Sequence, residues 1–228
     1  MKWTWDKFGF IESRPEPTER LETILREHLP EALFGTVRVV AMAREPGYVM
    51  MCAITTSIGN AAEPIYVPPE AIRQIRTEYG DKTVYVIPWS DNPETLIRNA
   101  LHATRVDKVI LYEMIGRAIA LVPQDQISQA TGPGGQIVRL ASKLCGWDLE
   151  IMTANELEAK IGRAKSEFRQ LDGVTDALAD GLVEQGFLSF DDLSVIDPDT
   201  LMRTGHLTAA QADSIIEQAE ERAEHDQD

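Results

Sequence analysis

The chain has 228 residues, enough for two or three small domains, and with 43% of them hydrophobic it can bury real cores. No apolar run is long enough to cross a membrane as a helix, and the opening MKWTWDKFGFIESRPEP lacks the apolar centre of a secretory signal, so cytoplasmic residence is the expectation. The net charge of −15 works against nucleic-acid binding, but it is unevenly placed: residues 154–228 hold 18 acidic and 6 basic side chains, residues 1–153 hold 19 and 16.

Residues 1–17 are aromatic-rich and end in the breaker Arg14-Pro15-Glu16-Pro17; Trp3, Trp5, Phe8 and Phe10 are expected to dock on the body of the protein. Thr18 can cap a helix with Leu21, Ile24, Leu25 and Leu29 on one face. Residues 37–44 and 49–55 are β-rich runs around Pro46-Gly47, which reads as a hairpin. A helix over 70–79 and a strand over 83–87 follow. Ser90-Asp91-Asn92-Pro93-Glu94 then opens another helix, with Leu96, Ile97, Ala100 and Leu101 as its apolar face. A second strand pair, 108–113 and 117–122, turns at Gly116.

Residues 123–151 read as a short helix, a glycine turn, a second helix and a strand. The turn is Gly132-Pro133-Gly134-Gly135. Glycines there let a single-stranded nucleic-acid backbone come close, and the helix beginning near Gln136 aims its unpaired N–H groups and positive dipole end at the same spot. Pro133 removes one donor. Arg139 and Lys143, one and two turns along that helix, are the candidate phosphate contacts; a solvated helix face is the competing reading. The loop lacks the Lys-Ser/Thr of a nucleotide P-loop.

The same unit occurs twice. Ile72, Ile75 and Tyr79 align with Ile137, Leu140 and Leu144 at helical spacing, and Val84 and Val86 align with Leu149 and Ile151 at strand spacing. At this offset Val67-Pro68-Pro69-Glu70 stands where the second copy has Gly132-Pro133-Gly134-Gly135, so the first copy keeps the pattern without the loop chemistry.

From Ala154 the chain reads as helical, with a connecting helix over 157–168 and two units in which a glycine-centred turn joins short apolar-faced helices. Leu171-Asp172-Gly173-Val174 opens the first, and Gly205-His206-Leu207 marks the second. Such turns can bind phosphate, but Asp172, Asp176 and Asp180 surround the first, which favours protein binding. Cys52 and Cys145 read as small buried hydrophobes. His28, His102, His206 and His225 have no metal spacing, and no catalytic arrangement stands out. The expectation is a non-enzyme without cofactor or metal.

The segments AMARE and PGYVMMCAI, then YVIPWSDNPETLIRNAL, then VPQDQISQATGPGGQIVRLASKLCGWDLEIMT, resemble the tandem KH region of the bacterial transcription factor NusA. The likeness covers roughly residues 29–153, and residues 168–223 resemble the acidic helix-hairpin-helix repeats that follow the KH pair in some NusA proteins. The resemblance implies an α+β fold: tandem prokaryotic-type (type II) KH domains followed by an all-α helix-hairpin-helix domain. The expected division is an N-terminal extension (1–28), a degenerate first KH domain (29–90), a second KH domain with the GPGG loop (91–153), an acidic helical domain (154–223) and a frayed tail (224–228). Two departures stand out. The family's polymerase-binding and OB-fold domains are expected to be absent, and the Lys or Arg usual inside its glycine loops is missing here.

The implied function is transcription elongation, termination or antitermination. Single-stranded RNA would be held weakly by Gly132, Pro133, Gly134, Gly135, Gln136, Arg139 and Lys143. The resemblance also implies that the tail binds NusG or the C-terminal domain of the RNA polymerase α-subunit. The alternative is a protein-interaction adaptor whose KH pair no longer binds RNA.

Overall fold

The computed structural model describes residues 18–29, 37–55, 65–102 and 104–225. Trp3, Trp5, Phe8 and Phe10, and with them the expected docking of the N-terminal aromatics, lie outside the described residues. The chain divides into two compact units, Met1–Leu111 with Ala118–Ile151, and Tyr112–Arg117 with Met152–Asp228.

In chain order the first unit is built on α1 (Thr18–His28), β1 (Arg38–Glu45), β2 (Val49–Thr55), α2 (Pro69–Tyr79), β3 (Thr83–Pro88), α3 (Pro93–Ala100), β4 (Lys108–Tyr112), β5 (Arg117–Leu121), α4 (Ile127–Thr131), α5 (Gln136–Cys145) and β6 (Asp148–Met152). They form two three-stranded sheets, ordered β1-β2-β3 and β4-β5-β6. In the first, β2 runs antiparallel to β1 and parallel to β3. The fold is α+β, with KH-like sheets followed by a helical helix-hairpin-helix region.

Strand β2 explains how the two copies are held together. Its sequence VMMCAIT is apolar almost throughout, the mark of a strand covered on both faces. Side chains alternate across a strand, and here the alternation sorts them into two cores. Met50, Cys52 and Ile54 join a cluster with Leu21, Ile24, Leu25 and Ile75. Val49, Met51 and Ala53 join another with Ile97, Leu101, Ala118, Leu140 and Ala141 of the second copy. The second cluster forms because α5 lies against β1 and β2. Trp89 and Trp147, both partly buried, pack against it. Helix α1 supplies three fully buried side chains to the first cluster and packs on α2 and β1, although the sequence division left it with the N-terminal extension.

Local signals set the element ends. Asn92 accepts a hydrogen bond from the Thr95 N–H and Pro93 occupies the first turn of α3; Gly80 and Gly146 end α2 and α5 in left-handed conformation. The hairpin at Pro46-Gly47 is anchored by Asp81, whose fully buried carboxylate accepts from Arg44 Nε and the Gly47 N–H, both at 2.8 Å. Arg44 also donates to the Tyr79 carbonyl.

The second unit consists of the turn Tyr112–Arg117 and helices α6 (Ala154–Phe168), α7 (Asp176–Glu184), α8 (Phe190–Ser194), α9 (Pro198–Gly205) and α10 (Ala209–His225). Thr153 and Glu156 form a reciprocal capping box on α6, and Thr175, Ser189 and Asp197 cap the next three helices. Phe168, Leu182, Leu193, Leu201 and Ile215 form its apolar interior. None of the described acidic residues of 154–225 is buried, as the cost of burying an unpaired carboxylate dictates. Asp192 is the most enclosed of those in ion pairs; its carboxylate pairs with Arg117 at 2.7 Å and accepts from the Leu188 N–H. Arg117 also donates to the Gly186 carbonyl, and Tyr112 covers Gly186 so closely that a Cβ there would sit 2.4 Å from the ring. Helix α10 extends through His225, past the point where the tail was expected to fray; 226–228 lie outside the described residues.

Candidate nucleic-acid interface

Helix α4 stops at Gly132, whose backbone (φ 72°, ψ 174°) breaks the helix. Pro133–Gly135 make two overlapping tight turns in which Gly134 (φ 57°) and Gly135 (φ 76°) are both left-handed, and α5 begins at Gln136. The three glycines have different jobs. A Cβ on Gly132 would lie 2.6 Å from Ile137 Cγ1, so this glycine lets the loop close on its own helix. A Cβ on Gly135 would lie 3.0 Å from Arg139 Nη1. Gly134 has nothing within 4 Å of its Cβ position; it is exposed and leaves open space in front of the backbone.

The loop also uses some of its own donors. The Gly135 N–H bonds to the Gly132 carbonyl at 3.1 Å and the Gln136 N–H to the Pro133 carbonyl. With Pro133 lacking a donor, an anion is left mainly with the N–H groups further into the first turn of α5. The structure brings the loop, Gln136 and Arg139 together, whereas Lys143 stands further along the helix, exposed and in no ion pair among the described residues. Arg139 is half exposed and braces the loop by donating to the Gly134 carbonyl. Its Nε donates to Glu45 Oε1 at 2.9 Å. Sequence reasoning missed Glu45: it lies 94 residues away, in the other copy, and no local spacing points to it.

The corresponding place in the first copy is built differently. Pro68 and Pro69 start α2 without a donor from either, and Glu70 stands exposed in the first turn, where a phosphate would be repelled. In the helical unit the Asp172 N–H, at the first hairpin turn, is taken by Gln218 Oε1 at 2.8 Å, and Gln218 donates back to the Asp172 carbonyl. That turn's amide is used internally rather than offered to phosphate. Burial pushes the thiols of Cys52 and Cys145 up to about 12, which disfavours the thiolate at neutral pH.

Residues 93–159 match the family of the NusA-like second KH domain, and residues 165–221 the SAM-like helix-hairpin-helix tandem. The chain is 36% identical over 169 residues to the transcription termination/antitermination protein NusA of Thermus thermophilus, covering 66% of this chain and 43% of that protein. It is 28% identical over 200 residues to the protein of the same name from Borreliella burgdorferi, covering 84% of this chain and 41% of that one. The chain thus spans less than half the length of these relatives. Among solved structures, the crystal structure of APE1850 shares 18% identity at a TM-score of 0.41, covering 59% of this chain and 96% of that one, too loose a likeness to argue from. The chain is NusA-like: it joins a NusA-like second KH domain to a SAM-like helix-hairpin-helix tandem.

Proposed function

We propose that this chain acts in bacterial transcription elongation, termination or antitermination, holding single-stranded RNA weakly at the second KH copy and transcription proteins at its acidic helical tail. The observation that carries the RNA half is Gly134, a left-handed, exposed glycine opening on empty space beside the N-terminus of α5 and Arg139. In this reading residues 91–153 are the RNA-binding domain, 29–90 a scaffold and 154–223 the docking domain. Gly132, Pro133, Gly134, Gly135, Gln136, Arg139 and Lys143 form the contact surface. The outward acids of the tail suit a basic partner, and NusG and the C-terminal domain of the RNA polymerase α-subunit are the first to test. The names of the relatives support the setting in transcription.

The test is an RNA titration of the whole chain against the Gly134→Asp/Gly135→Asp variant. Affinity should fall at least about tenfold through steric block and repulsion. Binding that survives both aspartates would move the site elsewhere. A second reading, a KH pair that serves only as scaffold for a protein adaptor, is favoured by the pairing of Arg139 with Glu45 and by the donors the loop uses itself. It predicts no RNA binding at any salt concentration.

A further inference from the structure

We infer that Glu45, the last residue of β1, competes with RNA phosphate for Arg139 and thereby sets how tightly the second copy's loop holds RNA. The inference rests on the reading that this loop binds RNA. It gives the degenerate first copy a part in the site, as the holder of an opposing charge.

The geometry carries it in three steps. Arg139 sits where a phosphate at the open face of Gly134 would meet it, because its Nη1 already reaches the Gly134 carbonyl. Its Nε is engaged by Glu45 at 2.9 Å, yet a guanidinium has more donors than these two bonds consume. The backbone of Glu45, in contrast, is held in place. It pairs across the hairpin with Val49, its carbonyl accepts from the Tyr48 N–H at 3.0 Å, and its neighbour Arg44 is locked to buried Asp81. A phosphate drawing the guanidinium outward therefore pulls it away from a carboxylate whose backbone is anchored in the hairpin.

Exposure decides the outcome of this contest. The Arg139 side chain is 50% exposed and that of Glu45 22%, so the pair is a partly solvated one of modest strength. A phosphate offers bidentate oxygens and higher charge to the same planar fork. The pair weakens binding without forbidding it. The absence of any Lys or Arg between the glycines makes the setting of Arg139 matter more.

The experiment titrates a fluorescein-labelled, random-sequence single-stranded RNA with four whole-chain proteins: unchanged, Glu45→Gln, Arg139→Gln and the double variant. Thermal melting checks that each is folded. Glu45→Gln should tighten binding about three- to tenfold at low salt. Arg139→Gln should weaken it, and the gain from Glu45→Gln should vanish when Arg139 is already Gln. Binding by Glu45→Gln where the unchanged chain shows none supports the proposal in its strongest form. An equal gain in both backgrounds overturns it, since removal of any nearby negative charge would then suffice. No gain in a chain that does bind RNA overturns the competition but leaves the loop reading intact. No binding by any of the four overturns both.

Discussion

The two KH copies share a packing pattern but differ at the loop. In both, a helix with apolar spacing leads into a strand, and Ile75 and Leu140, aligned by that spacing, are each fully buried. At the turn before the helix they part. The second copy has three positive-φ glycines, one of them facing open space; the first has two prolines and an exposed Glu70. Strand β2 serves two cores at once, so packing ties both copies together, whereas Gly134 at the tip of the second loop has nothing within 4 Å of its Cβ position. The comparison teaches that two copies of one packing pattern can share a core while differing at the loop where a ligand would approach.

Breaking the support should have the largest effect. Asp81→Ala leaves Arg44 without its carboxylate and the Gly47 N–H without its acceptor, and should destabilise the fold by about 3–5 kcal/mol. Because β2 is shared, both copies should then melt in one transition, which chemical denaturation followed by tryptophan fluorescence would show. Two separate transitions would mean that the copies are independent. Sharpening the comparison needs a milder pair. Gly132→Ala should cost about 1–3 kcal/mol, since its Cβ would clash with Ile137. Gly134→Asp, at a left-handed site that Asp tolerates, should cost less than about 1 kcal/mol, and denaturant midpoints should separate the two.

The helical unit gives a pH signature. Burial alone would raise the Asp192 carboxyl, but the Arg117 guanidinium and the Leu188 amide outweigh it and hold the group below the ordinary 3.8. A depressed carboxyl stabilises the fold above its unfolded value and loses that contribution as pH falls through the folded one. Acid unfolding of this unit should therefore set in below pH 3.8, and Asp192→Asn should flatten that part of the profile. The smallest effect belongs to the first loop. Glu70→Gly should hardly change RNA affinity, because Pro68 and Pro69 still supply no donor.

Much of this was legible in the sequence because it is local. Helical and strand spacing, the Asn92 cap and the glycine turn all follow from residues a few positions apart, and the expected elements match within a few residues. The unexpected contacts are those made over distance. Glu45 against Arg139, Asp192 against Arg117 and Tyr112 on Gly186 join residues about 70 or more positions apart. No single-sequence period encodes such pairs. The role of α1 was missed for a related reason: its apolar face was plain, but only the assembled sheet shows what it covers.

The central claim is that RNA meets the second copy and not the first. The most direct measurement is backbone amide NMR of the whole chain during titration with single-stranded RNA. The expected result is shift changes concentrated on Gly134, Gly135, Ile137, Val138 and Arg139, weakening with salt at a log–log slope of about −1 to −3. Changes centred on Val67 and Glu70, or on the helical unit with the glycine loop silent, would contradict it.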